Sequence, residues 1–335
     1  MLTDLRTAKV TTKPVCHRVA LLLLIGQGVL ACALFSATFV LNEMMHYSGG
    51  HWLWSGILRV LVTILLLLGL LYGTGGLDRL RQLGALFVRH WMFWVMTGSI
   101  GFGAFYSLIC YSAAYSPSWV VAATWQCTLV ASLLVMRLFG HHIAKRIWFF
   151  STLVFIGVAV INLSQVEHFT WRPLLIGGGA VLLAGFFYPL GNQLLWQATQ
   201  GSWHGLPHIQ SPLLANAFNK VLLLTIGSLP FWAVLAVFIQ PSKPSAEQWL
   251  LSSLVALFSG VLGTSLFLHA RGQAQNASEL AAVDASQASE VVFATLGGML
   301  LLANPMPGIQ ALIGMLVLFF GLAMFVIAKA AAVTE

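Results

Sequence analysis

The chain has 335 residues, 59% hydrophobic and 7% charged, with 16 Lys and Arg against 9 Asp and Glu and a formal net charge of +7. Soluble domains carry about a quarter charged residues, so the composition excludes a soluble enzyme and a disordered chain and specifies a membrane protein. A hydrocarbon core about 30 Å thick needs about 20 apolar residues per helix, which gives this length room for roughly ten spans and no sizeable soluble domain.

Apolar runs bounded by Pro, Gly and charge clusters predict helices at 19–43, 51–72, 91–114, 118–138, 147–163, 173–196, 212–238, 248–270, 280–302 and 307–328. The first follows a basic leader (Arg6, Lys9, Lys13, Arg18) that resembles a signal peptide, but its apolar stretch continues to Leu41. It is therefore read as a retained first helix. The expected organisation is a cytoplasmic basic segment at 1–18, a first five-helix repeat at 19–163, a second at 173–328 and a cytoplasmic tail at 329–335. With the N-terminus inside, twelve Lys and Arg fall in inner segments and two, Arg172 and Lys243, in outer loops. This bias predicts that both termini are cytoplasmic. Trp52, Trp54, Trp91, Trp148, Trp171, Trp203 and Trp249 sit near span ends, where indole anchors helices at the headgroups. Trp125, near the middle of the fourth span, is the exception.

Two halves of five spans each point in opposite directions, and polar positions echo between them. Gln126 corresponds to Glu290 at an offset of 164, which also aligns Phe155, Gly157 and Ala159 with Phe319, Gly321 and Ala323. Arg59 corresponds to Lys220, and Asn42-Glu43 to Asn192-Gln193. Inverted repeats build many secondary transporters, with the binding site near the midplane where the halves meet.

A charge at the bilayer centre costs about 2.5–3.5 kcal/mol on insertion scales, so a surviving one usually faces protein or water and serves a function. Glu290, near the middle of the ninth span, is the sharpest candidate, and Ser286 and Gln287 one turn earlier share its face. Desolvation penalises its charged form, so it could exchange a proton between the two sides while a cationic substrate competes for the same carboxylate. The competing reading pairs it structurally with Lys220 or Arg59. Gln126 is the expected uncharged partner across the cavity. Trp125 offers a face for a flat or cationic molecule, or simply packs against a neighbouring helix. Glu43 closes the first span, with Gln193 as its amide counterpart. Asp284 is either a second acidic step on a proton path or a cap for local polar groups. Arg59 and Lys220 suit a gate, an ion pair in each half, or snorkelling. Pro189 should bend the sixth helix, and Gly177-Gly178-Gly179 and Gly297-Gly298 permit close helix approach.

Other signals are absent. His141-His142 has no third ligand at metal spacing, and Gly205 and Pro207 break any helical pairing of His204 with His208. The glycines of 98–103 lie in an apolar span and form no phosphate cradle. The cysteines Cys16, Cys32, Cys110 and Cys127 form neither a disulfide framework nor a metal spacing. No Walker A pattern is present.

The segments FSATFVLNEMMHYSGGHWLWSGILR (35–59) and ASELAAVDASQASEVVFATLGGMLLL (277–302) resemble the ten-helix branch of the drug/metabolite transporter superfamily, and more narrowly its multidrug resistance efflux transporter family. The resemblance extends over essentially the whole chain. It implies an all-α basket of two inverted five-helix repeats around a central cavity and the export of small molecules. Where the superfamily often has Gly-Glu after the fourth and ninth spans, this chain has Gly140-His141 and Asn304-Pro305.

The resulting expectation is a transporter and not an enzyme: a bacterial inner-membrane secondary exporter of small amphipathic or cationic compounds, working by alternating access and proton antiport. It needs no cofactor or metal, draws on the proton gradient, and has as partners its substrate, protons and the bilayer, with no nucleic acid, as a monomer or homodimer. The substrate and proton candidates are Glu290, Gln126, Trp125, Gln287, Glu43, Gln193 and Asp284, and the gating or structural charges are Arg59 and Lys220. The alternative is a permease or exchanger for amino acids or other small metabolites.

Overall fold

Lipid offers no hydrogen bonds, so a spanning chain must satisfy its backbone internally, as a helix or a closed barrel. The computed structural model takes the first course. It describes residues 14–140, 142–164, 174–201, 203, 205–275 and 277–333. The expectations resting on Arg6, Lys9, Lys13, His141, Trp171, Arg172 and His204 fall outside these residues. Among the described residues every regular element is helical, and ten helices are long and apolar enough to cross a membrane. They are α1 (Leu22–Tyr47), α2 (Trp52–Arg89), α3 (Trp91–Ser112), α4 (Ser118–Leu138), α5 (Lys145–Leu163), α6 (Leu175–Gln200), α7 (Ala217–Ile239), α8 (Ala246–Gln273), α9 (Glu279–Leu302) and α10 (Ile309–Ala328). Large apolar side chains such as Leu65, Phe238, Leu300 and Leu316 are exposed around the outside, where only lipid can cover them. The chain is a multi-pass membrane protein of all-α, ten-span architecture.

Each predicted span has its helix, and the ends differ for local reasons. α2 runs beyond the predicted end at 72 to Arg89, because residues 77–89 continue as helix past a break at Gly76. Gly76 holds φ 65° and ψ −170°, a conformation open to glycine and strained for other residues. Pro189 lies within the continuous helical stretch Gly179–Gln200. The interruptions fall elsewhere: at Gln126 in α4, at Ser228 in α7 and over the 3-10 turn Ser286–Ala288 in α9. α3 and α8 are each widened into a π-helix, over Ser99–Ala104 and Ala256–Gly263. Insertions of this kind often mark functional sites.

The helix contacts have the symmetry that two equivalent halves require. Adding five to each helix number turns the pairs α1–α9, α1–α8 and α2–α8 into α6–α4, α6–α3 and α7–α3, and all six are present. The pairs α2–α7, α4–α9 and α5–α10 map onto themselves and are also present. The register is visible in single residues. A Cβ on Gly157 would lie 2.6 Å from Leu318 N, and one on Gly321 would lie 2.8 Å from Val154 N. These are the same contact made twice, because an offset of 164 carries Gly157 to Gly321 and Val154 to Leu318. Small residues let membrane helices approach backbone to backbone, which supplies the packing that lipid does not drive.

Consecutive spans joined by short connections alternate in direction, so the bundle has two ends. The proximal end carries the connections near 90, 139–144 and 274–278. The distal end carries those near 48–51, 113–117 and 303–308.

Gly157→Ala should therefore destabilise the α5–α10 pair by about 1–3 kcal/mol, the usual cost of overpacking. Gly69, whose Cβ would meet nothing within 4 Å, serves as control. Thermal unfolding in detergent should show a lowered midpoint for Gly157→Ala and an almost unchanged one for Gly69→Ala.

Candidate functional site

Between the halves lies a cavity of about 890 Å³. Its wall includes Glu290, Gln126, Trp125, Gln287, Gln193, Asp284 and Arg59. Seven of the nine residues singled out from the sequence are thus brought to one space, and Glu43 and Lys220 are not. The wall runs from Ile109 and Phe39 to Arg271, Leu280 and Met136 near the proximal ends of their helices. The interruptions of α4 and α9 meet inside it, where Gln126 Nε2 donates to the Gln287 carbonyl at 3.4 Å. That carbonyl belongs to the 3-10 turn of α9, where the regular helical bonding is broken and a carbonyl can take an outside donor.

Glu290 is 5% exposed. Among the described residues no ion pair joins it to Arg59, Lys220 or Arg271. Arg59 instead lies over the Tyr106 ring, its guanidinium carbon 3.7 Å from the centroid. Lys220 lines a separate pocket of about 320 Å³ beside Trp196 and Gln210. The pairing of Glu290 with either cation, one of the two readings open from the sequence, is not the arrangement found. Asp284 does have a cationic partner, Arg271 Nη1 at 3.3 Å from Oδ1.

Aromatic rings dominate the rest of the wall. Trp125 packs against Phe105 at 5.1 Å and Tyr188 at 5.6 Å between centroids. Phe105 meets Tyr188 at 5.1 Å and Tyr106 at 5.9 Å. Trp125 therefore both packs and faces the cavity, so its two readings are not exclusive. The Tyr106 face is taken by Arg59, but the rings of Trp125, Phe105 and Tyr188 and a carboxylate unpaired among the described residues make a surface suited to a cation with aromatic or apolar bulk, since ring faces attract positive charge when water is excluded. Sequence reasoning missed Phe105, Tyr106 and Tyr188. The available signal was tyrosine at mid-span, away from the interfacial belts where tyrosine usually gathers.

Glu43 lies at the distal end, 1% exposed and fully engaged. Its Oε2 accepts from Ser118 N at 2.7 Å, and its Oε1 accepts from Asn304 Nδ2 at 2.9 Å and from the Tyr47 hydroxyl at 3.3 Å. Ser118 opens α4, where the first amides lack helical partners and the helix dipole favours a negative charge. One carboxylate thus ties the end of α1 to the start of α4 and to the α9–α10 connection. The neighbouring Asn42 continues the network inward, donating through Nδ2 to the Tyr106 hydroxyl at 3.3 Å. The glycine pair of α9 permits the close approach expected of it: a Cβ on Gly298 would lie 2.8 Å from Ser118 Oγ.

Comparison with known proteins gives this geometry its family. Residues 22–331 match the family described as "EmrE: Putative multidrug resistance efflux transporter". The chain belongs to the EmrE family. It is 34% identical over 313 residues to "Uncharacterized protein YjlA" of Bacillus subtilis (strain 168), covering 88% of this chain and 91% of that one. It is also 34% identical over 256 residues to "Uncharacterized 42.1 kDa protein in intracellular alkaline protease 3'region" of Shouchella clausii, covering 72% of this chain and 63% of that one. A solved structure titled "Crystal structure of protein" shares the fold at a TM-score of 0.50 and 15% identity, over 95% of this chain and 99% of its own.

The two buried glutamates should respond oppositely to neutralisation. Glu43→Ala strands donors worth about 1–3 kcal/mol each when left unsatisfied and should lower the thermal midpoint clearly. Glu290→Gln replaces a buried acid that has no ion-pair partner among the described residues and should leave the midpoint unchanged or raise it.

Proposed function

We propose that this protein is a secondary active transporter that exports small amphipathic or cationic compounds by alternating access, with proton antiport at Glu290. The observation carrying the proposal is the carboxylate of Glu290, buried without an ion pair among the described residues, in an aromatic-walled cavity between two halves. Charged, that group attracts a cation. Protonated, it loses the attraction and releases it. Proton and substrate then compete for one site, and the proton gradient drives the exchange with no cofactor. Family membership supports the export of small molecules.

Gln126 and Gln287 give the cavity neutral polar edges, and Trp125 and its neighbouring rings hold the apolar part of the substrate. The Asp284–Arg271 pair lies nearer the proximal end, on the route between the cavity and that side. The basic bias of the proximal segments supports a multi-pass arrangement in the bacterial inner membrane with both termini cytoplasmic, as a monomer or homodimer. Exchange of amino acids or similar metabolites is the second reading. It draws on Arg59, a cation on the same wall that stands over a ring and not against a carboxylate and could hold a substrate carboxylate.

Purified protein in liposomes with an imposed pH gradient separates these. Addition of tetraphenylphosphonium or ethidium should drive proton movement with the wild type and leave it at the level of protein-free liposomes with Glu290→Gln. Cation movement without proton flux, or an unaltered Glu290→Gln variant, would contradict antiport. Proton or charge movement driven by amino acids alone would favour the second reading.

A further inference from the structure

We infer that Glu43 is a positioning residue for the transport cycle, a latch that holds the distal end shut while the cavity is open toward the proximal end. The inference rests on the transport reading but is argued from the packing. The two helices that cross at the cavity are joined unequally along their length. Their distal segments, Ser118–Trp125 of α4 and Ser289–Leu302 of α9, are packed together, and Ser118 Oγ donates to the Ala294 carbonyl at 3.4 Å. Their proximal segments both contribute to the cavity wall, Val135 and Met136 from one and Leu280 and Ala281 from the other. There the cavity lies between their facing sides, while Leu133 of α4 and Ala281 and Ala285 of α9 share a hydrophobic cluster with Phe325 and Val326 of α10. Between the two regimes lies the contact of Gln126 with Gln287, at the interruption in each helix.

Glu43 holds the closed end. It binds Ser118 of α4 on one side and Asn304, just past α9, on the other, so α4 cannot part from α9 there while those bonds remain. Its repeat counterpart is Gln193, in the half that lies across the bundle. Gln193 lines the open region, and its Nε2 is buried without a hydrogen-bond partner among the described residues. One member of the related pair is saturated at the closed end and the other is unsatisfied at the open end. An orphaned buried donor is costly, so Gln193 has a contact to gain when the proximal segments close. Rocking α4 against α9 about the Gln126–Gln287 contact would release the Glu43 bonds and close Val135 and Met136 toward Leu280 and Ala281. Discontinuous helices and opposite rocking of related halves are the ingredients of alternating access.

The test uses spin-label distances in the full chain in liposomes, with no substrate and no gradient. The background carries Cys16→Ser, and the native Cys32, Cys110 and Cys127 are buried. One label pair, Ser116→Cys with Met306→Cys, reports the distal end. A second pair, Leu138→Cys with Gln273→Cys, reports the proximal end. With Glu43 intact, the distal pair should give one short distance and the proximal pair one long distance. Glu43→Gln, which keeps one acceptor and loses the charge, should add a population with the distal distance lengthened and the proximal distance shortened. If Glu43→Gln does not assemble, Asn304→Ala removes a single donor and should produce the same paired shift. Unchanged distributions, or distal loosening with the proximal pair unmoved, would overturn the latch. That result would leave Glu290-dependent antiport standing. Loss of antiport with the paired shift intact would instead refute the transport reading and not the rocking motion.

Discussion

A carboxylate placed halfway across a hydrocarbon layer has to be paired, neutralised or given water, because the lipid stabilises none of its charge. At Glu290 pairing is not the solution: the nearby cations are committed elsewhere, Arg59 over the Tyr106 ring and Arg271 to Asp284. Neutralisation by a proton and contact with water remain, and both are served by a space between helices, which the bundle is arranged to leave. α4 and α9 cross at their interruptions, α3 and α8 are widened into π-helices, and residues of all four contribute to the cavity wall. Irregular backbone at membrane depth is tolerated where it lines such a space, so the cavity is also what permits the interruptions.

Glu43 and Glu290 show how surroundings set the role of one residue type. Both are buried, and both lie in helices long enough to span. Glu43, near the end of α1, reaches the Ser118 amide at the start of α4 and the Asn304 side-chain amide and becomes a structural joint. Glu290 sits at the edge of the packed region, where its side chain faces the cavity. Both stand near the start of a helical segment, Glu43 against Ser118 of α4 and Glu290 in the first turn of Ser289–Leu302, but among the described residues only Glu43 accepts hydrogen bonds from the neighbouring elements. That difference is what the proposed role of Glu290 in binding and release rests on.

Much of the architecture is legible in the amino-acid sequence because lipid imposes a length and a polarity on each span. The ten helices, their family and the offset of 164 relating Gly157 to Gly321 follow from apolar runs and from a few polar and glycine positions. The gathering of Gln126, Gln287 and Glu290 also follows, since polar groups inside a membrane have few places to go. Less legible was anything depending on where a helix stops being regular. The interruptions lie at Gln126 and Ser286–Ala288, where α4 and α9 meet and the local sequence gives no breaker. The engagement of Glu43 was hidden for a similar reason. Its partners Ser118 and Asn304 are 75 and 261 residues away, and only the folded bundle brings them together.

The central claim, that Glu290 faces an accessible cavity and Glu43 does not, can be tested by carboxyl modification. Dicyclohexylcarbodiimide partitions into membranes and reacts with protonated carboxyl groups, so peptide mass spectrometry of treated protein reads out which acids it reaches. The account predicts adduct formation at Glu290, reduced by tetraphenylphosphonium, and none at Glu43. Modification of Glu43 with Glu290 untouched, or labelling of Glu290 that the cation does not slow, would contradict it.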